Sequence, residues 1–323
     1  MRGRMRVALI GHGAWGARLA SAFDELGVLA VVCDVAAPAR EAARARFLGV
    51  TTTSELDAAL ADDVDAIALA TPSETHAELV VAGLAAGKHV FCEKPLASSL
   101  ADALRVREAA RRSRRVVQVG HLLEFSPAVA ALRERVRGGG VGAVERYASE
   151  RLQTADRGGV DPLWDLLAHD AGLLLGTLDA PVTLVSARAP RASAIELSIE
   201  LADGARASLV ASYGAPERRR VTRVIGACAE LVLDELAGTL VELPRVGAAR
   251  TMAFAPDSAL HRELGAFAEA VRTGGPSPVD VDHAVEVVRI LHAAERSRAL
   301  GGAPVSVGQG ARAVAPEPAR GFA

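Results

Sequence analysis

The stretch that decides the fold is Val7-Ala8-Leu9-Ile10-Gly11-His12-Gly13-Ala14-Trp15-Gly16, followed by the amphipathic run Ala17 to Leu26. An apolar strand, a glycine turn and a helix in that order form the context in which a GxGxxG pattern holds a dinucleotide. Gly11 permits the tight turn, Gly13 lets backbone amides approach a pyrophosphate, and Gly16 lets helix and strand pack closely. The helix start behind them favours phosphate charge. Taken alone the pattern also fits a turn and nothing more. Asp34 argues against that, because it closes the next apolar run, Leu29 to Cys33, 18 positions after Gly16. The carboxylate that binds an adenosine ribose is expected at roughly 20 residues. Since a carboxylate repels a 2′-phosphate, NAD is expected over NADP, and Arg40 is read as a solvated helix-face residue.

Working outward, short apolar runs alternate with alanine-rich helical patterns as far as Gly120: Val7 to Ile10, Leu29 to Cys33, Ala66 to Ala70, His89 to Cys92 and Val116 to Val119. Such alternation implies a doubly wound parallel sheet whose ligands sit at the carboxyl ends of its strands. After Pro127 the texture changes. Helices are expected at Pro127 to Val136 and Pro162 to Leu178. Strands are expected at Val144 to Gln153, Val182 to Ala187, Ala194 to Leu201, Arg206 to Tyr213, Arg220 to Ile225, Ala229 to Leu233 and Thr239 to Leu243. Asp203-Gly204 between two alternating runs signals a hairpin, so this half reads as one antiparallel sheet. Helical patterns follow at Ser258 to Arg272 and Val281 to Leu300. The expected division is a dinucleotide-binding domain over 1–122, a substrate-binding and oligomerisation domain over 123–312, and a disordered tail over 313–323.

The 323 residues carry a formal charge of -2 and 3% aromatic side chains, which leaves neither a basic field nor a stacking platform for nucleic acid. The basic start is followed by a strand and a glycine turn rather than a signal-peptide apolar region, and no apolar run is long enough to span a bilayer. The expectation is a soluble cytoplasmic protein that uses neither membrane nor nucleic acid. Cys33, Cys92 and Cys228 lack CxxC or CxxH spacing; they read as buried reduced thiols, and no metal site is expected.

Three further places carry chemistry. Ala70-Thr71-Pro72-Ser73-Glu74-Thr75-His76 ends a strand and starts a helix, with Ser73 as its expected cap; the loop can line a nicotinamide ribose, and His76 reads as structural rather than catalytic. Glu93-Lys94-Pro95 ends the next apolar run, His89 to Cys92. A lysine there is read either as a solvated terminus or as an ammonium that stabilises a developing alkoxide beside the cofactor. In Asp161-Pro162-Leu163-Trp164-Asp165-Leu166-Leu167-Ala168-His169-Asp170, Asp161 and Pro162 suit a helix start. Asp165 and His169, four apart, are then expected on one face, where their side chains can meet. A carboxylate-oriented histidine is a competent acid or base near neutrality; the alternative is a surface pair, which the surrounding leucines disfavour.

As an ordered set, GHGAWG, Cys33-Asp34, ATPSETH at 70–76, EKP at 93–95 and the D-x-x-x-H of Asp165 and His169 resemble the Gfo/Idh/MocA oxidoreductases, over residues 5 to about 305. The resemblance implies an α/β fold with an N-terminal Rossmann domain and a C-terminal α/β domain on an open, mostly antiparallel sheet that often mediates oligomerisation, here as a dimer or tetramer. It also implies hydride exchange at a carbinol carbon of a sugar or cyclitol. Carried over by position, Lys94, Asp165 and His169 become the catalytic trio. Gly11, Gly13, Ala14, Trp15, Gly16, Asp34, Thr71, Pro72, His76 and Glu93 fall near the cofactor, and His121 and Trp164 fall near the substrate. The segments Val119 to Pro127 and Leu163 to Asp170 look most like the nucleotide-sugar branch. Glu124-Phe125-Ser126, and Ala168 in place of a proline, depart from that branch. Arg151 and Arg157, or the run Arg218-Arg219-Arg220 with Arg223, are candidates to meet a nucleotide diphosphate, the run being read otherwise as a solvated sheet edge. A dehydrogenase of a free cyclitol or aminoglycoside-type intermediate is the alternative enzyme, and a non-catalytic dinucleotide-binding regulator the alternative class.

Overall fold

The computed structural model describes residues 4–254 and 259–308. Ser258, where one helix was expected to start, residues 309–312 and the tail over 313–323 lie outside the described residues. The first half runs β1 (Val7–Ile10), α1 (Ala14–Glu25), β2 (Leu29–Cys33), α2 (Ala37–Arg46), β3 (Thr51–Thr53), α3 (Leu56–Ala59), β4 (Ala66–Leu69), α4 (His76–Ala85), β5 (His89–Glu93), α5 (Leu100–Ser113) and β6 (Val117–Gly120). Its six strands are parallel in the order β3-β2-β1-β4-β5-β6. The order reverses between β1 and β4, which opens a crevice at their carboxyl ends. β1 and β4 are buried on both faces, as strands covered by helices on either side must be.

The second half runs α6 (Pro127–Arg137), β7 (Val144–Leu152), α7 (Pro162–Asp165), α8 (Leu167–Thr177), β8 (Val182–Arg191), β9 (Ala194–Leu201), β10 (Arg206–Ser212), β11 (Arg219–Gly226), β12 (Ala229–Asp234), β13 (Thr239–Pro244), β14 (Arg250–Ala253), α9 (Ala259–Thr273), α10 (Val281–Ala299) and β15 (Val305–Ser306). Its sheet has nine strands in the order β14-β13-β12-β11-β7-β10-β9-β8-β15. One pair, β7 with β10, is parallel, so the sheet is mixed rather than wholly antiparallel; the long excursion through α7 and α8 separates β7 from its later neighbours and permits it. The expected hairpin at Asp203-Gly204 joins β9 to β10. On β9 the inward Ile195, Leu197, Ile199 and Leu201 alternate with exposed Glu196, Ser198 and Glu200. The inner face packs under α6, α8 and α10, and the outer face carries no helix layer.

Two elements tie the halves together. α10 contacts α5, α8 and β8, and α9 returns to place Leu264 and Phe267 against Phe23 and Phe91 of the first half. Phe91 meets Phe23 and Phe267 edge-on, with centroids 6.3 and 5.8 Å away. Cys33 and Cys92 are buried, whereas Cys228 is exposed in the turn between β11 and β12, against the expectation of three buried thiols.

Candidate functional site

The glycine turn is shaped for a dinucleotide. Gly11 adopts a φ of +92°, which favours glycine. A Cβ on Gly16 would lie 2.0 Å from the Gly11 carbonyl oxygen, so only glycine lets α1 cross β1 this closely. Gly13 caps α1 without a side-chain bond, and a Cβ there would meet nothing within 4 Å. The space ahead of the helix amides is therefore open to a phosphate. Asp34 ends β2 with Oδ2 accepting from the His12 amide at 2.6 Å and Oδ1 from the Ala36 amide at 2.8 Å. Two bonds leave further lone pairs of the carboxylate for ribose hydroxyls. Arg40 is not solvated as expected; it donates to the Asp34 and Val35 carbonyls at 2.8 and 2.9 Å. The residues fit the group.

The loop after β4 differs from its expectation. Ser73–Thr75 form a 3₁₀ turn and α4 starts at His76, so Ser73 caps nothing; the Thr75 hydroxyl donates to the Pro72 carbonyl at 2.8 Å and meets that of Thr71 at 2.7 Å. His76 is buried, its ring nitrogens 2.7 Å from the Pro95 carbonyl and 3.0 Å from the Thr71 carbonyl. It thereby clamps the Thr71 loop to the turn that follows Lys94. Burial, the largest effect, holds its pKa below the usual value despite both carbonyls. Glu93 links the two signature motifs: Trp15 Nε1 donates to its Oε1 at 2.5 Å, and the Lys94 amide donates to Oε2 at 3.2 Å. The facing residue on β6 is Gly120, where a Cβ would come within 2.9 Å of the carboxylate. Burial pushes the Glu93 carboxyl up to about 7, against the Trp15 bond and the Lys94 charge.

Lys94 reaches from the first half to the second. Its Nζ donates to Asp165 Oδ1 and to the Asp165 carbonyl, both at 2.9 Å. That second bond has a local consequence. The Asp165 carbonyl would otherwise accept from the His169 amide, which bonds to Leu166 O at 3.1 Å instead. The expected continuous helix is thus split into α7 and α8 at Leu166, and Asp165 does not meet His169. Its Oδ2 accepts from the Tyr213 hydroxyl and, at 3.3 Å, from Arg157. Burial raises the Asp165 pKa, but the Lys94 charge, the Tyr213 hydrogen bond and Arg157 together hold it below the usual carboxylate range. Asp165 orients Lys94 and Tyr213 rather than the imidazole.

His169 lies deeper, with Nδ1 buried and without a partner. Burial first, then the charges of Lys94 and Arg151, the neighbouring His121 and the Arg220 charge, hold its pKa well below the ordinary value, so the ring is neutral and can accept a proton. His121 is also buried, edge-on to His283 at 5.4 Å, with both ring nitrogens unpartnered. Burial, then His283, hold it down at about 3. Gly172 makes room for it, since a Cβ there would sit 2.9 Å from His121 Nδ1. Trp164 is half-buried and packs against the cores of both halves. Glu124, one of the departures from the branch pattern, is ion-paired with Arg133.

Arg151 is not available to a ligand: it is buried, with Nε 2.6 Å from Asp170 Oδ2 and Nη2 2.8 Å from Glu235 Oε1. Nor are Arg219 and Arg220 at a sheet edge, because β11 lies inside the sheet between β12 and β7; Arg218 is exposed just ahead of the strand. Sequence reasoning also missed Tyr213 and Glu263. The first is 48 residues beyond Asp165 and carries no local signature. The second lies on α9, fully buried with both carboxyl oxygens unpartnered, close enough to Glu93 that burial and that neighbour push its pKa well above the usual value. Its unsigned place in an amphipathic helix gave no signal. Among the described residues no group of three or more His, Cys, Asp or Glu is arranged to hold a metal, and no helix is long and apolar enough to cross a membrane.

Residues 5–121 match the family model of oxidoreductases with an NAD-binding Rossmann fold. Inositol 2-dehydrogenase 4 of Saccharopolyspora erythraea is 33% identical over 198 residues, 59% of this chain and 59% of that protein, so the chain spans under two thirds of that relative. UDP-N-acetylglucosamine 3-dehydrogenase of Acidithiobacillus ferrooxidans is 31% identical over 246 residues, 73% of this chain and 76% of that one. Its solved structure superposes with a TM-score of 0.84 at 26% identity, over 92% of this chain and 98% of that chain. Levoglucosan dehydrogenase in complex with NADH and L-sorbose superposes with a TM-score of 0.86 over 95% and 100% of the two chains; at 20% identity this is a likeness of fold.

Proposed function

Because this chain belongs to the Gfo/Idh/MocA oxidoreductases, with their NAD-binding Rossmann fold, we propose that it interconverts a ring secondary alcohol and a ketone on a sugar, with a nucleotide sugar as substrate. The observation that carries this reading is Lys94 Nζ held 2.9 Å from the Asp165 carboxylate at the carboxyl end of β5, beside a neutral His169. NAD, when bound, supplies the hydride acceptor. His169, a neutral and partly buried imidazole, takes the hydroxyl proton and returns it in the reverse direction. Lys94 stabilises the alkoxide as it forms. Asp165, with Tyr213, fixes the ammonium. His121 and Trp164 line the substrate side, Thr71, Pro72 and His76 shape the nicotinamide end, and Gly11 to Gly16 with Asp34 hold the pyrophosphate and adenosine ribose.

The uridine-diphosphate sugar relative covers the larger share of both chains, which favours the nucleotide sugar; the inositol dehydrogenase relatives support a free cyclitol as the second reading. Following NADH absorbance with a set of nucleotide sugars, hexose phosphates and cyclitols tests both. Turnover of nucleotide sugars alone supports the first, of cyclitols alone the second, and of none sinks the dehydrogenase reading. We further propose a cytoplasmic homo-oligomer, a dimer or tetramer, paired through the outer sheet face. Half-buried Val210, Val221, Ile225 and Val232 on that face and a groove of ≈ 520 Å³ beside Arg146, Ser198 and Arg206 support it. Light scattering that finds monomer alone at micromolar concentration refutes the pairing.

A further inference from the structure

Of the six candidate arginines, Arg151 and Arg220 face inward on the sheet, Arg219 and Arg223 face outward with Val221 and Ile225, and Arg157 and Arg218 lie in connecting loops. Four carry carboxylate partners: Arg151 with Asp170 and Glu235, Arg157 with Asp165, Arg219 with Glu150, and Arg223 with Glu230. Of the remaining two, Arg218 is exposed, and Arg220 is the one drawn into the fold. It is half-buried, its Nε is enclosed, and among the described residues neither a hydrogen bond nor an ion pair satisfies its guanidinium. Leaving a charged donor in that state costs more than leaving a neutral one. Burial, then repulsion from Arg151 and Arg218, lowers its pKa against the opposing attraction of the Glu235 and Asp170 carboxylates.

Its place in the sheet explains what it can do. Arg220 on β11 is the register partner of Arg151 on β7, which is in turn the partner of Ala211 on β10. All three therefore face inward toward α8. Tyr213, two residues beyond Ala211, faces the same way, and its hydroxyl meets Asp165. With neighbouring strands about 4.8 Å apart, Arg220 sits about 10 Å across the sheet from the strand line of Tyr213, and its charge is felt at His169.

We propose that Arg220 is the anion-recognition residue of the substrate pocket, so that the physiological substrate carries an oxyanion group, a diphosphate or a carboxylate, across the ring from the reacting carbinol. This rests on the dehydrogenase reading above and narrows its substrate class. A planar guanidinium with its donors free takes either oxyanion through paired hydrogen bonds.

The test is binding to the NADH-loaded full-length protein, read by calorimetry with three probes: UDP, glucuronate and the neutral myo-inositol. Arg220→Met is expected to weaken UDP or glucuronate by about tenfold or more, the loss of one charge-assisted pair, and to leave myo-inositol unchanged. Loss confined to UDP identifies a diphosphate, and loss confined to glucuronate a carboxylate. The melting temperature of Arg220→Met should equal or exceed that of the wild type, because an unpaired cation is removed; a structural arginine would lower it. If Arg220→Met does not fold, Arg220→Lys, which keeps the charge and loses the fork, decides: weakened anion binding supports the proposal and unchanged binding overturns it. Equal anion affinity in wild type and Arg220→Met, or no anion binding in the wild type, also overturns it. Anion binding that depends on Arg220 in a protein without NAD-linked turnover sinks the dehydrogenase reading and leaves the anion site standing.

Discussion

Glu263→Met should stabilise this protein, although it removes a fully buried residue. The Glu263 carboxyl has no hydrogen-bond partner on either oxygen and lies beside the Glu93 carboxyl. An unsatisfied buried polar group costs about 1–3 kcal/mol, and methionine refills most of the volume without it. For chains of this size that range corresponds to a rise of roughly 2–10 °C in Tm. The pH dependence carries a sharper signature. A carboxyl whose pKa is raised on folding contributes stability that is complete below its unfolded value and is lost as pH rises toward the folded value. Both Glu93 and Glu263 are raised, so their joint contribution to stability should fall above pH 4.5, set against the gain that the depressed His76, His89, His121 and His169 bring up to about pH 6.5. Glu93, raised from 4.5 to about 7, accounts for about 3 kcal/mol of that fall. Its part ends near pH 7, and any further loss above pH 7 belongs to Glu263. Glu263→Met should therefore leave only the Glu93 part of the slope between pH 4.5 and 7 and flatten the curve above it. Thermal and urea unfolding from pH 4.5 to 9 reads both quantities. A variant that melts several degrees lower with an unchanged alkaline slope would refute the reasoning, since it would mean that the carboxyl is stabilised in the fold.

Tyr213→Phe removes the hydroxyl that Asp165 accepts from; turnover should fall about tenfold, the worth of one hydrogen bond to a charged group, with NADH affinity unchanged. Because that bond helps to hold the Asp165 pKa down, the acid limb of the pH–rate profile should move to higher pH. Gly16→Ala, whose Cβ would meet Gly11 O at 2.0 Å, should cost roughly 1–3 kcal/mol in urea unfolding as an overpacked contact. Gly13→Ala meets nothing in the free protein, so it should unfold like the wild type yet bind NADH more weakly by fluorescence titration. Asp34→Ala should narrow the preference for NADH over NADPH and also cost about 1–3 kcal/mol, since the His12 and Ala36 amides lose their acceptor; a wild type that prefers NADPH would overturn the role given to Asp34.

What the chain shows by itself is whatever depends on near neighbours. The run from Val7 to Gly16, the carboxylate 18 residues later and the β-α alternation to Gly120 foretell the parallel sheet and its crevice, because periodicity and turn chemistry act over a few residues. The alternation of Ile195 to Leu201 likewise foretells a sheet with one buried face. Spacing misleads where a distant group competes for a local bond. Asp165 and His169 have helical spacing, yet Lys94, 71 residues away, takes the carbonyl that would have continued the helix and the carboxylate that would have met the imidazole. The packing of α8 and of the turn after β12 against β7 seats Arg151 between Asp170 and Glu235 while leaving its neighbour Arg220 unpaired. Only the return of α9 brings Glu263 to Glu93. Hydrogen-bond and charge partners are chosen by proximity in space among groups far apart in sequence, and burial sets their protonation, so the wiring of the site was decided by the tertiary structure.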